Sequence, residues 1–176
     1  MLVQTERQRW PFGPLVSVGP LQFGMTRDQV VDQVAVTLGA GSMFETPDDW
    51  IKFSDPDSFT RPLTTYFSAV GGLACVAVDA RHGPQITLGH LSLVGQVPSK
   101  LEEEFSDHMS ARGLDEAIRY SQFGDLGTDA LGVVLRAQRV GDVVLSRPVF
   151  VAREWADMVW DAWEGTIPRE EWHVYC

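Results

Sequence analysis

The stretch Gly19 to Gly39, GPLQFGMTRDQVVDQVAVTLG, decides the fold, because it reads as a short strand, a glycine turn and a capped helix. Thr26 followed three residues later by Gln29 is a capping-box pattern, in which the hydroxyl accepts from an early helical N–H while the glutamine reaches back to the cap. Met25 and Val30 sit where a hydrophobic staple closes the helix entry, and Val30, Val34 and Leu38 recur at helical spacing. Gly39-Ala40-Gly41 then stops the helix, since glycine adopts the left-handed conformation that a helix end commonly uses.

Upstream, Met1 to Pro14 is polar and then Trp10-Pro11-Phe12-Gly13-Pro14, an irregular lead-in whose Trp10 or Phe12 is expected to pack on the body. Leu15 to Phe23 alternates as a strand that Gly19-Pro20 bends. Downstream, Trp50 to Phe53 reads as a short strand between loops carrying Glu45, Asp48, Asp49, Asp55 and Asp57. Leu63 to Val70 and Leu73 to Ala80 are apolar runs divided by Gly71-Gly72, a hairpin signal. Gln85 to Val94 reads as a further strand. From Gly95 a second copy of the opening unit is expected, with Leu101, Phe105 and Met109 in the places of Val30, Val34 and Leu38, and Pro98 at the first helical position of a helix to Arg112. Leu131 to Val140 and Val143 to Val151, around Gly141-Asp142, form a second hairpin.

These elements predict one α+β domain over residues 1–176, an antiparallel β-sheet with two or three helices packed on it. Two related αββ-type units are expected at 15–82 and 85–152, followed by a C-terminal helix at 153–164. At 176 residues and 44% hydrophobic composition the chain can bury a sizeable core. Its 14 basic residues stand against 24 acidic ones, a net charge of −10, which disfavours phosphate neutralisation and hence nucleic acid as a partner; a protein with a basic surface fits that sign. Cys75, inside an apolar run, and Cys176 suggest neither a disulfide framework nor a metal site, so a cytoplasmic location is expected. No apolar run approaches the roughly 18 residues of a membrane span, and a soluble, unprocessed chain is expected.

The run LQFGMTRDQV, through Gly24, Met25, Thr26, Arg27 and Val30, resembles the opening of the units in the β-lactamase inhibitory proteins and in the SmpA/OmlA-type outer-membrane lipoproteins. There a Gly-Met-Ser/Thr-Arg-x-x-Val stretch starts a helix packed on a small antiparallel sheet. The resemblance implies a fold used to bind proteins and carries no catalytic residue. In general character, acidic and small, the chain is also similar to immunity proteins of bacterial toxin systems.

The residues with chemical potential point the same way. His82, His90, His108 and His173 show no metal-ligand spacing, so neither a metal nor another cofactor is expected. Cys75, Asp79 and His82 outline a thiol-enzyme pattern, but a cysteine within LACVAV is expected to be buried and inert. Two readings stay open: a non-catalytic inhibitor or immunity protein that occludes a toxin or enzyme with an acidic, aromatic surface, and a structural or assembly domain without inhibitory activity. Four of the six tryptophans, Trp155, Trp160, Trp163 and Trp172, fall in the last stretch of the chain. On a helix from Arg153 to Glu164, residues Glu154, Asp157, Asp161 and Glu164 form one acidic stripe, while Trp155, Met158, Val159, Ala162 and Trp163 face the sheet. Trp160 then borders the acidic stripe, partly exposed. The partner surface is therefore predicted at Trp160, Asp157, Asp161 and Glu164, with Asp48, Asp49 and Trp50 as a second acidic, aromatic patch.

Overall fold

The capping box of Thr26 is present in both directions. Its hydroxyl accepts from the Gln29 N–H at 3.3 Å, and its own N–H donates to the Gln29 side-chain oxygen at 2.9 Å. Helix α1 (Arg27–Leu38) starts there and ends at Gly39, whose φ of 65° is left-handed. This is a computed structural model, and it describes residues 7–39, 41–45 and 50–173, with residues 41–45 as backbone only.

Ahead of α1 run β1 (Arg9–Gly13), β2 (Ser17–Val18) and β3 (Leu21–Gln22); after it come β4 (Gly41–Glu45), β5 (Trp50–Ser54), β6 (Leu63–Phe67) and β7 (Leu73–Val78). A related order then follows, with two short strands instead of three before the helix. A short hairpin, β8 (Gln85–Leu88) and β9 (Leu91–Ser92), leads into α2 (Pro98–Ser110), and four strands follow: β10 (Ile118–Tyr120), β11 (Leu126–Thr128), β12 (Val133–Val140) and β13 (Val143–Val151). Among the described residues the strands make two sheets, ordered β3-β2-β1-β8-β9 and β10-β11-β12-β13-β7-β6-β5-β4. Each helix is thus followed by a four-strand meander rather than the two strands of the predicted αββ unit, and the two meanders meet antiparallel at β7 and β13. The fold is α+β and antiparallel throughout except where β1 pairs in parallel with β8.

Several local readings sharpen. The lead-in is a strand, and both Trp10 and Phe12 are buried from alternate positions of it. The strand at 85–94 is folded back on itself at Gly89, whose positive φ makes the turn. The Gly-Met motif has a second, non-local role. Gly24 N–H donates to Leu73 O and Leu73 N–H donates to Met25 O, both at 2.9 Å, so the helix entry is tied to the start of β7. A Cβ on Gly72 would lie 2.9 Å from Gly24 Cα, which is why glycine is needed in that turn.

One face of the eight-stranded sheet packs on both helices and on the small sheet. Val30, Val34, Leu101, Phe105 and Met109 join Ile51, Phe53, Val76, Val133 and Phe150 in a single buried cluster, and the Phe12 and Phe150 rings meet at 4.6 Å. The opposite face is covered by the chain's last segment, through Ala156, Val159, Ala162, Ile167 and Trp172 on Tyr66, Cys75, Ala77, Val134, Val149 and Val151.

That segment is not the predicted helix at 153–164. It begins with one 3-10 turn, Arg153–Trp155, continues as turns, and ends in the short helix α3 (Arg169–His173). The reason lies in who takes its amide protons. Val159 N–H donates to the Asp129 carboxylate at 2.9 Å, Ala162 N–H to the Gln122 side chain at 2.9 Å, and Trp163 and Glu164 N–H to the Asp161 carboxylate at 2.8 and 3.0 Å. Side-chain acceptors thereby replace the carbonyl ladder of a helix. Gly165 closes the loop, since a side chain there would collide with the Met158 and Asp161 carbonyls.

A row of buried charges fastens the segment to the sheet. Arg136 and Arg147 stand directly opposite one another on β12 and β13, an arrangement that is unfavourable between like charges unless anions flank it. Asp125, just before β11, meets Arg136 at 2.5 Å; Asp79, just after β7, lies 3.9 Å from Arg147. Glu171 of α3 descends over the middle, 3.1 Å from Arg147, and accepts the Tyr66 hydroxyl at 2.6 Å. Arg136 also donates to the carbonyls of Glu171 and Trp172, at 3.3 and 2.8 Å. Burial, and then the Glu171 carboxylate, hold the Tyr66 phenol far above its usual range.

Candidate functional site

The outer surface of the C-terminal segment is where an exposed aromatic group is held in place. Asp161 accepts from the Gln122 side-chain amide at 2.9 Å as well as from Trp163 and Glu164 N–H. Those bonds, led by the Glu164 and Trp163 amides, keep its carboxyl below the ordinary aspartate pKa, so it stays a charged acceptor. The turn it organises projects Trp163, which is 60% exposed, beside Phe123, 42% exposed, with ring centroids 6.3 Å apart. Phe123 is supported from behind by the buried Trp172 ring at 6.1 Å and by the Arg136 guanidinium at 5.4 Å. The pair is therefore an exposed apolar patch on an ordered base. The exposed charges of residues 153–170 are Glu154, Asp157, Glu164 and Glu170 against Arg153 and Arg169, so the segment is acidic on balance.

The predicted residues divide. Asp157 and Glu164 are exposed on this segment. Asp161 is only 8% exposed, and in place of the expected outward carboxylate its Oδ1 takes three bonds that hold the loop. Trp160 is half-buried as expected, but for a different reason, its Cβ lying against Gly127 of β11, where an added Cβ would approach within 3.1 Å. Trp163, assigned to the sheet-facing side of a helix, is instead the exposed ring, because there is no helix to turn it inward. Trp50 is half-buried on β5, with the Lys52 ammonium 4.8 Å from its ring centre. Five strand spacings separate β5 from β11, about 24 Å, so Trp50 and Trp160 belong to different patches. Asp48 and Asp49 lie outside the described residues.

The acidic stretch after β5 presents another aromatic. The Asp55 carboxylate accepts from Asp57 N–H at 2.8 Å, and Phe59 N–H donates to Asp55 O at 2.8 Å. Phe59 is exposed and carries a positive φ of 55°, uncommon for a bulky residue. The Asp57 amide, followed by the Ser58 hydroxyl, lowers the Asp55 pKa.

The thiol pattern is not assembled. Asp79 and His82 are together, with the imidazole Nδ1 3.2 Å from the carboxylate, but Cys75 is four residues earlier along the chain, about 13 Å away at strand rise. Burial, and then the Glu171 carboxylate, push the Cys75 thiol well above its ordinary pKa. Among the described residues no group of three histidine, cysteine or carboxylate side chains is placed to hold a metal ion, and no helix is long and apolar enough to cross a membrane.

Sequence reasoning missed Phe123, Trp163 and the charged row. Phe123 follows Tyr120-Ser121-Gln122 in a turn with no periodicity to give its direction. A signal for the row did exist: Arg136 and Gln138 alternate with Leu135 and Ala137, as on a strand with one polar face. What covers Arg136 is decided by Glu171 and Trp172, more than thirty positions away. Comparisons of the chain with protein-family models, with curated proteins and with solved structures give no match.

Proposed function

We propose that this chain is a non-catalytic protein-binding protein, a cytoplasmic inhibitor or immunity protein that occludes a toxin or enzyme with an acidic, aromatic surface. The observation that carries the reading is the exposed Trp163 and Phe123 pair on its ordered base. Aromatic anchors are enriched at the centres of protein interfaces, and a side chain fixed before binding loses little freedom on association. The acidic balance of the C-terminal segment and the net charge of −10 favour a basic partner, chiefly through the rate of encounter.

The test is to capture the partner from the native organism with the parent chain, and to ask whether co-expression protects cells from the captured protein. Trp163→Ala is expected to weaken the complex by about 2 kcal/mol or more and to change stability by less than about 0.5 kcal/mol. Asp157→Asn with Glu164→Gln is expected mainly to slow association at low salt. Partner binding that is the same in Trp163→Ala and Phe123→Ala as in the parent would place the interface elsewhere. Binding without protection would favour an assembly role.

A further inference from the structure

Phe123 has a second neighbour, a cavity of about 170 Å³ between α2 and strands β11, β12 and β13 of the large sheet. Its walls are Leu101, Leu126, Leu135 and Ala137, and Glu102 is the carboxylate among its lining residues whose charge is not already matched by a buried arginine. The volume lies below the about 300–1,000 Å³ of sites that take drug-sized ligands, so it suits one side chain rather than a metabolite. Glu102 accepts the Tyr120 hydroxyl at 2.8 Å, which fixes the carboxylate. The other lining carboxylate, Asp125, is paired with Arg136, and among the described residues none that lines the cavity is basic.

From this geometry we infer that the cavity receives an arginine side chain of the protein partner, its methylene stem along the three leucines and its guanidinium on Glu102 beside the Phe123 ring. A cavity walled by leucines, with Glu102 as its carboxylate not paired to an arginine, matches a long side chain that buries its stem and pairs its head. A planar guanidinium adds paired donors for the carboxylate and a face for the aromatic ring. Because Phe123 borders both the cavity and Trp163, a partner seated on the aromatic pair reaches the cavity without a further surface. Such a guest presupposes the protein-binding role proposed above.

The probe is N-acetyl-arginine methylamide, titrated into the whole chain while the methyl resonances of Leu101, Leu126, Leu135 and Ala137 are followed by NMR; the citrulline analogue, equal in shape and uncharged, is the control. Saturable shifts of these methyls are expected, about tenfold tighter for arginine than for citrulline. Glu102→Gln is expected to erase that preference, and Ala137→Leu, which fills the cavity, to abolish the shifts. Equal response to the two probes, no response of these methyls, or arginine binding that survives in Glu102→Gln would overturn the assignment. Should Ala137→Leu fold poorly, Glu102→Gln alone decides, since its carboxylate is held by the exposed Tyr120 hydroxyl rather than by a buried arginine. The titration reads the cavity alone and the partner assay reads the aromatic pair. A cavity indifferent to arginine therefore overturns this assignment and leaves the protein-binding role standing, whereas arginine uptake by a chain that captures no partner overturns that role.

Discussion

Replacing Glu171 by alanine tests whether the row of buried charges holds the last segment in place. The carboxylate is 3% exposed, lies 3.1 Å from Arg147 and accepts the Tyr66 hydroxyl at 2.6 Å. Its loss leaves two buried guanidinium groups opposite one another, with Asp125 close to Arg136 and Asp79 at 3.9 Å from Arg147. Removing one partner of such a buried pair typically costs about 3–5 kcal/mol. The lost hydrogen bond of the Tyr66 phenol is part of that figure, because contacts within one network are not additive. Against a total stability of about 5–15 kcal/mol this is a large fraction. The assay is urea unfolding with the slope held as a control: the midpoint falls while the slope stays that of the parent. Glu171→Gln keeps a hydrogen-bond acceptor but not the charge and is expected to fall between the two. Hydrogen exchange should rise over residues 153–173 before it rises in α1. A loss below about 1 kcal/mol, as for an exposed ion pair, would refute the assignment of the row as the fastening.

Three further predictions concern the fold. Val34→Ala and Phe105→Ala, both fully buried, are each expected to cost about 2–5 kcal/mol in urea unfolding, and losses well under 1 kcal/mol at both would contradict the packing of α1 and α2 on the sheet. Gly72→Ala, which forces a Cβ against Gly24, is expected to destabilise by about 1–3 kcal/mol, with thermal unfolding as the measure; an unchanged midpoint would deny the close approach of the two turns. His108 is buried beside Arg112 and His90, and burial first, then these two neighbours, lowers its pKa. With the folded value depressed, the unfolded chain binds more protons below about pH 6.5, so this contribution to stability is complete above that pH and is lost as the pH falls through it. His108→Gln should flatten that slope in stability measured from pH 7.5 to 5, and an unaltered slope would assign the effect to other groups.

What could be read from the sequence is what neighbouring residues decide among themselves. The cap at Thr26, the stop at Gly39 and the hairpins at Gly71-Gly72 and Gly141-Asp142 depend on contacts within a few positions, and all are present. The lead-in was not legible as a strand because its prolines hide the alternation, and its partner β8 is 76 residues away at the Arg9 and Gln85 pair. The segment from Arg153 to Glu164 has helical spacing of apolar residues, yet Asp129 and Gln122 take amide protons that the helix needed. Those captures are invisible locally. On the same segment the direction of the rings was not legible either: Trp163 rather than Trp160 is the exposed one.

Cys75 lies at the centre of the covered face, across from Tyr66 and Val151 in the sheet register, and is fully buried. A thiol in that position can be alkylated only while the covering segment is lifted, so the molecule carries its own clock for that motion. If lifting costs about 4 kcal/mol, the modification rate of Cys75 falls roughly a thousandfold below that of an open thiol. The clock runs in the native state, without denaturant. Its rate in the presence of a bound partner would say whether occupancy of the outer surface tightens or loosens the inner one.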